Sequence, residues 1–154
     1  MDYTLPGRGN VALIDRRPRS TTTMPQSQLE LPTSAATAWR LLIDTETWPQ
    51  WGPSVRAVDA PERLIGPGLC GRVQTVAGFW LPFEITRWRP GWDWAWHVAG
   101  LPATGHLVEP LAPSRCRVTF TVPSWAPFYL PVCGAALRRL HSLARKLDQE
   151  KQQR

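Results

Sequence analysis

The stretch Leu130-Pro-Val-Cys133-Gly-Ala-Ala-Leu137-Arg-Arg-Leu140-His-Ser-Leu-Ala144-Arg-Lys-Leu147 decides the architecture. Leu130, Cys133, Leu137, Leu140, Ala144 and Leu147 recur at alternating spacings of three and four, the period of a single helix face. Arg138, Ser142, Arg145 and Lys146 fall on the opposite side. The spacing predicts one long amphipathic helix with a buried stripe, with Ser124 available as its cap. Pro127 is tolerable in a first turn. Pro131 lacks an N–H and either kinks the helix or marks its effective start, and Gly134 loosens the same place.

Upstream of this helix the pattern is different. Between Val55 and Val122, short β-prone runs are separated by the turn signals Gly66-Pro-Gly68, Pro90-Gly91, Gly100-Leu-Pro102 and Pro110 to Ser114. These runs predict about six strands, near 54–60, 69–76, 79–89, 93–99, 104–109 and 115–122, joined by links short enough for antiparallel hairpins. Alternation at Trp94, Trp96, Val98 and at Val118, Phe120, Val122 assigns those positions to the buried face of the sheet. Still earlier, Gln28 to Leu31 reads as a first strand. Thr33 or Ser34 can then cap a helix whose Ala35, Ala38, Trp39, Leu42 and Ile43 share a face. In the segment from Asp44 to Pro53, Pro49 and Pro53 forbid a long helix, and Trp48 and Trp51 sit three apart as if to clamp one short helical turn.

A chain of 154 residues is the size of one ordinary domain, and 43% hydrophobic residues, nine of all residues being Trp, supply enough apolar surface for a core. The domain is expected over 27–148, between a flexible basic N-terminal tail over 1–26 and a polar C-terminal tail over 149–154. The net charge of +6 permits contact with nucleic acid or an anionic surface. Its excess lies mainly at the two ends, in Arg8, Arg16, Arg17 and Arg19 and in Arg138, Arg139, Arg145, Lys146, Lys151 and Arg154. That distribution reads as solvated tails and a solvated helix face, with a docking arm for an acidic partner as the functional alternative. Cys70, Cys116 and Cys133 form no CxxC pair, and His97, His106 and His141 show no ligand spacing with them, so free thiols and no metal or cofactor are expected. No apolar run approaches membrane-span length and no secretory signal is visible, which points to a cytoplasmic protein.

Strand, helix, clamped connector, antiparallel meander and long final helix is the order of the helix-grip fold. The stretch from Leu31 to Val55, with Asp44-Thr-Glu-Thr-Trp48-Pro49-Gln-Trp51 at its centre, resembles the opening of the START-like polyketide cyclase/dehydrase (SRPBCC) superfamily. The resemblance continues through Gly68-Leu-Cys-Gly71, Leu81-Pro-Phe-Glu-Ile85, Trp94-Ala-Trp-His-Val98 and Val118-Thr-Phe120 to the final helix. It implies an α+β architecture in which a curved antiparallel sheet wraps a long C-terminal helix, with two short helices after the first strand. It also implies a cavity for a hydrophobic ligand between sheet and helix. Some members bind lipids, steroids or polyketides and others cyclise, dehydrate or hydrolyse, with no catalytic motif common to all.

Under that expectation Trp80, Phe83, Trp94, Trp96, Val98, Phe120, Tyr129, Leu137 and Leu140 are the candidates to line the cavity, the alternative for each being ordinary core. Glu84 and His106 are the candidates for acid/base chemistry. Glu84 shares strand parity with Trp80, Thr86 and Trp88. If that face is inward its carboxylate is desolvated and its pKa raised, and if outward it is a solvated strand residue. His106, on the face of Val108, can meet a ligand carbonyl or donate to backbone. The expected function is binding of a small hydrophobic ligand, such as a lipid, polyketide or aromatic metabolite. A cyclase/dehydrase-like enzyme is the first alternative, and a nucleic-acid or acidic-partner binder acting through the basic tails is the second.

Overall fold

A computed structural model describes residues 24–154, so residues 1–23 of the expected tail, which include the short apolar run Val11-Ala-Leu-Ile14, lie outside the described residues. Seven strands form one antiparallel sheet: β1 (Gln26–Leu31), β2 (Val55–Asp59), β3 (Cys70–Thr75), β4 (Trp80–Arg89), β5 (Asp93–Val98), β6 (Leu101–Ala112) and β7 (Arg115–Thr121). Their order is β1-β7-β6-β5-β4-β3-β2, a meander from β2 to β7 closed by β1 on the far side of β7. Because β1 and β2 are opposite edges, the segment between them must cross a whole face of the sheet. Helices α1 (Ala35–Ile43) and α2 (Trp48–Trp51) make that crossing. The long helix α3 (Leu130–Gln152) then packs on the same face.

Of the stripe expected on the last helix, Cys133, Leu137, Leu140 and Ala144 are buried, joined by Ala136, and the end members Leu130 and Leu147 are half-buried, while Arg138, Arg139, Arg145 and Lys146 are exposed. Of the two roles open to Pro131, the structure selects the start. Ser124 is not the cap. A 3₁₀ turn over Pro127–Tyr129 precedes α3, which begins at Leu130 with Pro131 in the first turn, where an N–H would have had no partner. At the other end α3 runs through Gln152, past the boundary expected at 148. Ser34 caps α1, accepting the Thr37 N–H at 3.1 Å.

Trp94 pairs with His106, His106 with Phe120 and Phe120 with Ser27, so the inward positions of β5, β6, β7 and β1 form a row across the sheet. The Asp44–Trp51 connector locks α1 onto that row. The indole N–H of Trp48 donates to the Leu42 carbonyl at 2.9 Å and that of Trp51 to the Leu41 carbonyl at 3.1 Å. Thr47 Oγ1 adds a bond to Leu41 at 2.6 Å. Carbonyls of the last helical turn lack intrahelical partners, and here they are satisfied by buried side-chain donors. Asp44 then ties the connector to the loop before β3, accepting two bonds of 2.9 Å from the Arg63 guanidinium, which hold its carboxyl below the usual range.

The β5–β6 hairpin is a two-residue turn at Ala99-Gly100, with φ of 51° and 76°. Both central residues in the left-handed region match the twist of the strands, but a Cβ at the first raises the energy. Ala99→Gly should therefore stabilise the chain by about 1 kcal/mol in denaturant unfolding. Trp48→Phe removes the donor to Leu42 and shrinks a fully buried ring, and it should cost about 2–4 kcal/mol in the same measurement.

Candidate functional site

The inner face of the sheet is crowded at its centre and open at one end. In the centre, Trp48 stacks on Trp94 (centroids 5.6 Å apart, planes 8° from parallel), and Trp94 stacks on His106 (3.8 Å, 22°). Phe83, Trp96 and Phe120 pack edge-on or tilted around this stack. The rings leave a pocket of only about 40 Å³, lined among others by Trp51, Trp94, His106, Phe120 and Cys133. Beyond Trp96 the side chains become smaller and the space widens into a cleft of about 340 Å³. Val55, Val73, Thr75 and Leu81 form one wall of this cleft, and Trp96, Val98, Ala103 and Thr104 form its floor. The segment from Val122 to Tyr129 closes the third side. Both spaces share Ser54, Val55, Trp96, Thr104 and Tyr129 and are the narrow and wide ends of one hollow.

The polar groups of the hollow are few and most are already engaged. Trp96 Nε1–H donates to Thr104 Oγ1 at 3.1 Å, and Thr104 Oγ1 lies 3.1 Å from His106 Nε2. His106 Nδ1 faces the Trp94 carbonyl at 3.3 Å. A carbonyl only accepts, so Nδ1 carries the proton and Nε2 takes the Thr104 hydroxyl. Full burial of this neutral ring lowers its pKa to about 3. At the narrowing, the Tyr129 and Ser54 hydroxyls are hydrogen-bonded to each other across the gap. Burial pushes the Tyr129 phenol up, keeping it protonated, and pushes the Cys133 thiol to about 11, where it is no nucleophile at neutral pH. Among the described residues, Trp94 Nε1 is the buried side-chain donor that finds no protein acceptor.

The candidates read from the sequence divide accordingly. Trp94, Trp96, Phe120, Tyr129 and His106 line the narrow end, and Trp96, Val98 and Tyr129 the wide end. Phe83, Leu137 and Leu140 are buried core outside the lining. Trp80 and Glu84 lie on the opposite face of the sheet, exposed, with the Arg72 guanidinium over the Trp80 ring at 5.2 Å. Glu84 and Trp88 do not share a face. The register shifts between Ile85 and Arg87, placing Thr86 as an extra residue, so Trp88 turns inward onto Trp39 while Glu84 stays outside. The hollow itself lies toward the start of α3 rather than beneath its middle, because the indoles of Trp48 and Trp94 fill the space there. Ser54, Val55, Leu81 and Ala103 line it without having been singled out. Their signal would have been the register pairing of Val55 with Thr75 and Val73 with Leu81, which strand parity alone does not supply.

The pKa of His106 has a consequence for stability. As pH falls below an ordinary 6.5 the unfolded chain takes up the histidine proton and the folded chain does not, so stability declines through the window from 6.5 down to about 3. The slope is up to about 1.4 kcal/mol per pH unit. Asp44 and Asp93, whose carboxyls are held low by Arg63 and Arg89, add their losses mainly below the ordinary 3.8. Thermal melts between about pH 7 and pH 5 should show a falling midpoint that His106→Gln flattens.

No family model matches the sequence, and no curated protein matches it. Solved structures do match in fold. Zhui aromatase/cyclase from Streptomyces sp. R1128 superposes with a TM-score of 0.59 at 15% identity, covering 79% of this chain and 92% of that one. A START superfamily protein from Mycobacterium smegmatis gives 0.56 at 18% identity, covering 80% and 98%. The di-domain aromatase/cyclase BexL gives 0.63 at 16% identity, covering 79% of this chain and 46% of that longer one. With a seven-stranded sheet closed over a long C-terminal helix in the same arrangement, this chain shares the helix-grip fold of these START and aromatase/cyclase structures.

Proposed function

We propose that this protein binds a small, mainly apolar molecule carrying a hydroxyl or carbonyl group, such as a lipid, polyketide or aromatic metabolite, in the hollow between the sheet and the start of α3. The observation that carries the reading is the cleft of about 340 Å³, apolar on nearly every wall and narrowing onto a few convergent hydroxyls. That volume is within the range of small-molecule sites, at its lower end. Aliphatic Val55, Val73, Leu81 and Val98 would take the apolar body by burial. Ser54 and Tyr129 can exchange their mutual bond for bonds to a ligand oxygen, and the unpartnered Trp94 Nε1–H offers a further donor at the narrow end.

A cyclase/dehydrase-like activity is the second reading, favoured by the aromatase/cyclase neighbours and by the position of His106 and Tyr129 on the hollow. In it Tyr129, held protonated, would polarise a carbonyl. His106 would position through Thr104, because an imidazole with a pKa near 3 is a weak base.

The test is titration of intrinsic Trp fluorescence with aromatic polyketides, fatty acids and steroids, with native mass spectrometry for stoichiometry. One-to-one binding is expected. Val98→Trp, which fills the cleft from its floor, should weaken it by about tenfold or more with little change in melting temperature. Tyr129→Phe should weaken hydroxylated or carbonyl ligands by roughly fivefold and spare pure hydrocarbons. Equal affinity in the Val98→Trp chain would place the ligand elsewhere.

A further inference from the structure

The end of the sheet where the cleft opens differs from the rest of the surface. It brings together the β3–β4 turn, the β5–β6 turn and the segment after β7, as the pairings of Gln74 with Trp80, Val98 with Leu101 and Gly105 with Thr121 require. The Trp125 indole N–H donates to the Pro102 carbonyl at 3.2 Å, joining two of these segments. On their tips Val76, Phe79, Leu101, Trp125 and Phe128 are each more than half exposed. The same segments carry no formal charge: from Val73 to Phe83, from Trp94 to Val108 and from Val118 to Leu137 there is no Asp, Glu, Lys or Arg. Apart from Arg56, exposed on β2 beside Thr75, charged side chains resume toward the other end, at Glu84, Arg87, Arg89, Asp93, Glu109 and Arg115.

We infer that this apolar rim, whose tips carry no charge, docks on the surface of a lipid bilayer, inserting Val76, Phe79, Leu101, Trp125 and Phe128 among the headgroups and upper acyl chains. A charge carried to that depth is penalised, and the tips carry none; Arg56, back on β2 beside Thr75, is a cation placed to meet anionic headgroups. Aromatic rings prefer that interface, and exposed apolar surface on several separate tips suits a deformable partner. A protein partner is met by one continuous apolar centre inside a polar rim, whereas here the apolar side chains stand on separate tips. The attachment point of the N-terminal segment supplies the electrostatic complement. Residues 1–23 contain Arg8, Arg16, Arg17 and Arg19 against Asp2 and Asp15, and they join the domain at this end, where the Val122 N–H donates to the Pro25 carbonyl. Excess positive charge delivered beside an apolar rim matches an anionic leaflet. Docking does not depend on what the cleft holds.

The test uses the full chain in co-sedimentation with phosphatidylcholine vesicles, with and without phosphatidylglycerol. Binding is expected to both and tighter to the anionic set. The variant Val76→Ser/Phe79→Ser/Leu101→Ser, none of whose sites lines the cleft, should lower partitioning about tenfold or more on both while leaving ligand titrations unchanged. As a measurement that needs no triple variant, lipids brominated on their acyl chains should quench part of the Trp emission, and Trp125→Phe should remove that part. Absence of sedimentation with either vesicle overturns the inference, as does wild-type sedimentation of the triple variant. Concentration-dependent dimerisation that the triple variant abolishes would overturn it too, by showing that a second copy covers the rim.

Discussion

Two indole N–H groups donating to the last carbonyls of α1 hold the rest of the molecule in place. A helix that ends inside a protein leaves carbonyls without partners, and burying them unpaired is costly. Trp48 and Trp51 answer that need for Leu42 and Leu41 and in doing so drive their own rings into the interior. Trp48 then stacks on Trp94, and Trp51 packs against Phe120 and the edge of His106. The same residues thus end the first helix, fix the crossing from one sheet edge to the other and fill the centre of the grip.

What the tryptophans fill determines where the hollow can be. A sheet closed over a helix leaves room along the helix wherever side chains are too small to meet. Here the middle is occupied by a stack of three rings, and only toward the start of α3 do Val98, Ala103, Thr104 and Ala126 leave the walls apart. The cleft therefore lies near the mouth and opens among the turns rather than deep under the helix. His106 sits where packed core gives way to hollow, every ring nitrogen partnered and the ring neutral. Its chemistry is that of a satisfied core residue with one face on a pocket.

Charge is segregated along the strands. Arg63 with Asp44, and Arg87 and Arg89 with Asp93, form their ion pairs at the closed end, and the open end has none of the participants. That polarity arises from the hairpin topology: in a meander every second turn comes to the same end, so uncharged turns at 76–79 and 99–100 and the segment after 121 meet in space though they are far apart in sequence.

The sequence by itself determined whatever depends on neighbours three, four or two residues away. The buried stripe of α3 was legible in Cys133, Leu137, Leu140 and Ala144, and so were the hairpins and the inward alternation of Trp94, Trp96, Val118 and Phe120. The helix-grip order followed from those elements in sequence, but the inward facing of His106 came only with its pairing between Trp94 and Phe120. The facing of Glu84 was not legible either, because one extra residue at Thr86 inverts parity on either side of it, and a bulge has no local signature comparable to a heptad. Nor was the place of the cleft. Leu137 and Leu140 have the same pattern whether they border a cavity or close-packed rings, and volume left over between elements depends on which side chains meet across them. Only the tertiary structure decided that, since packing is a property of pairs brought together by the whole chain, and periodicity is a property of the chain alone.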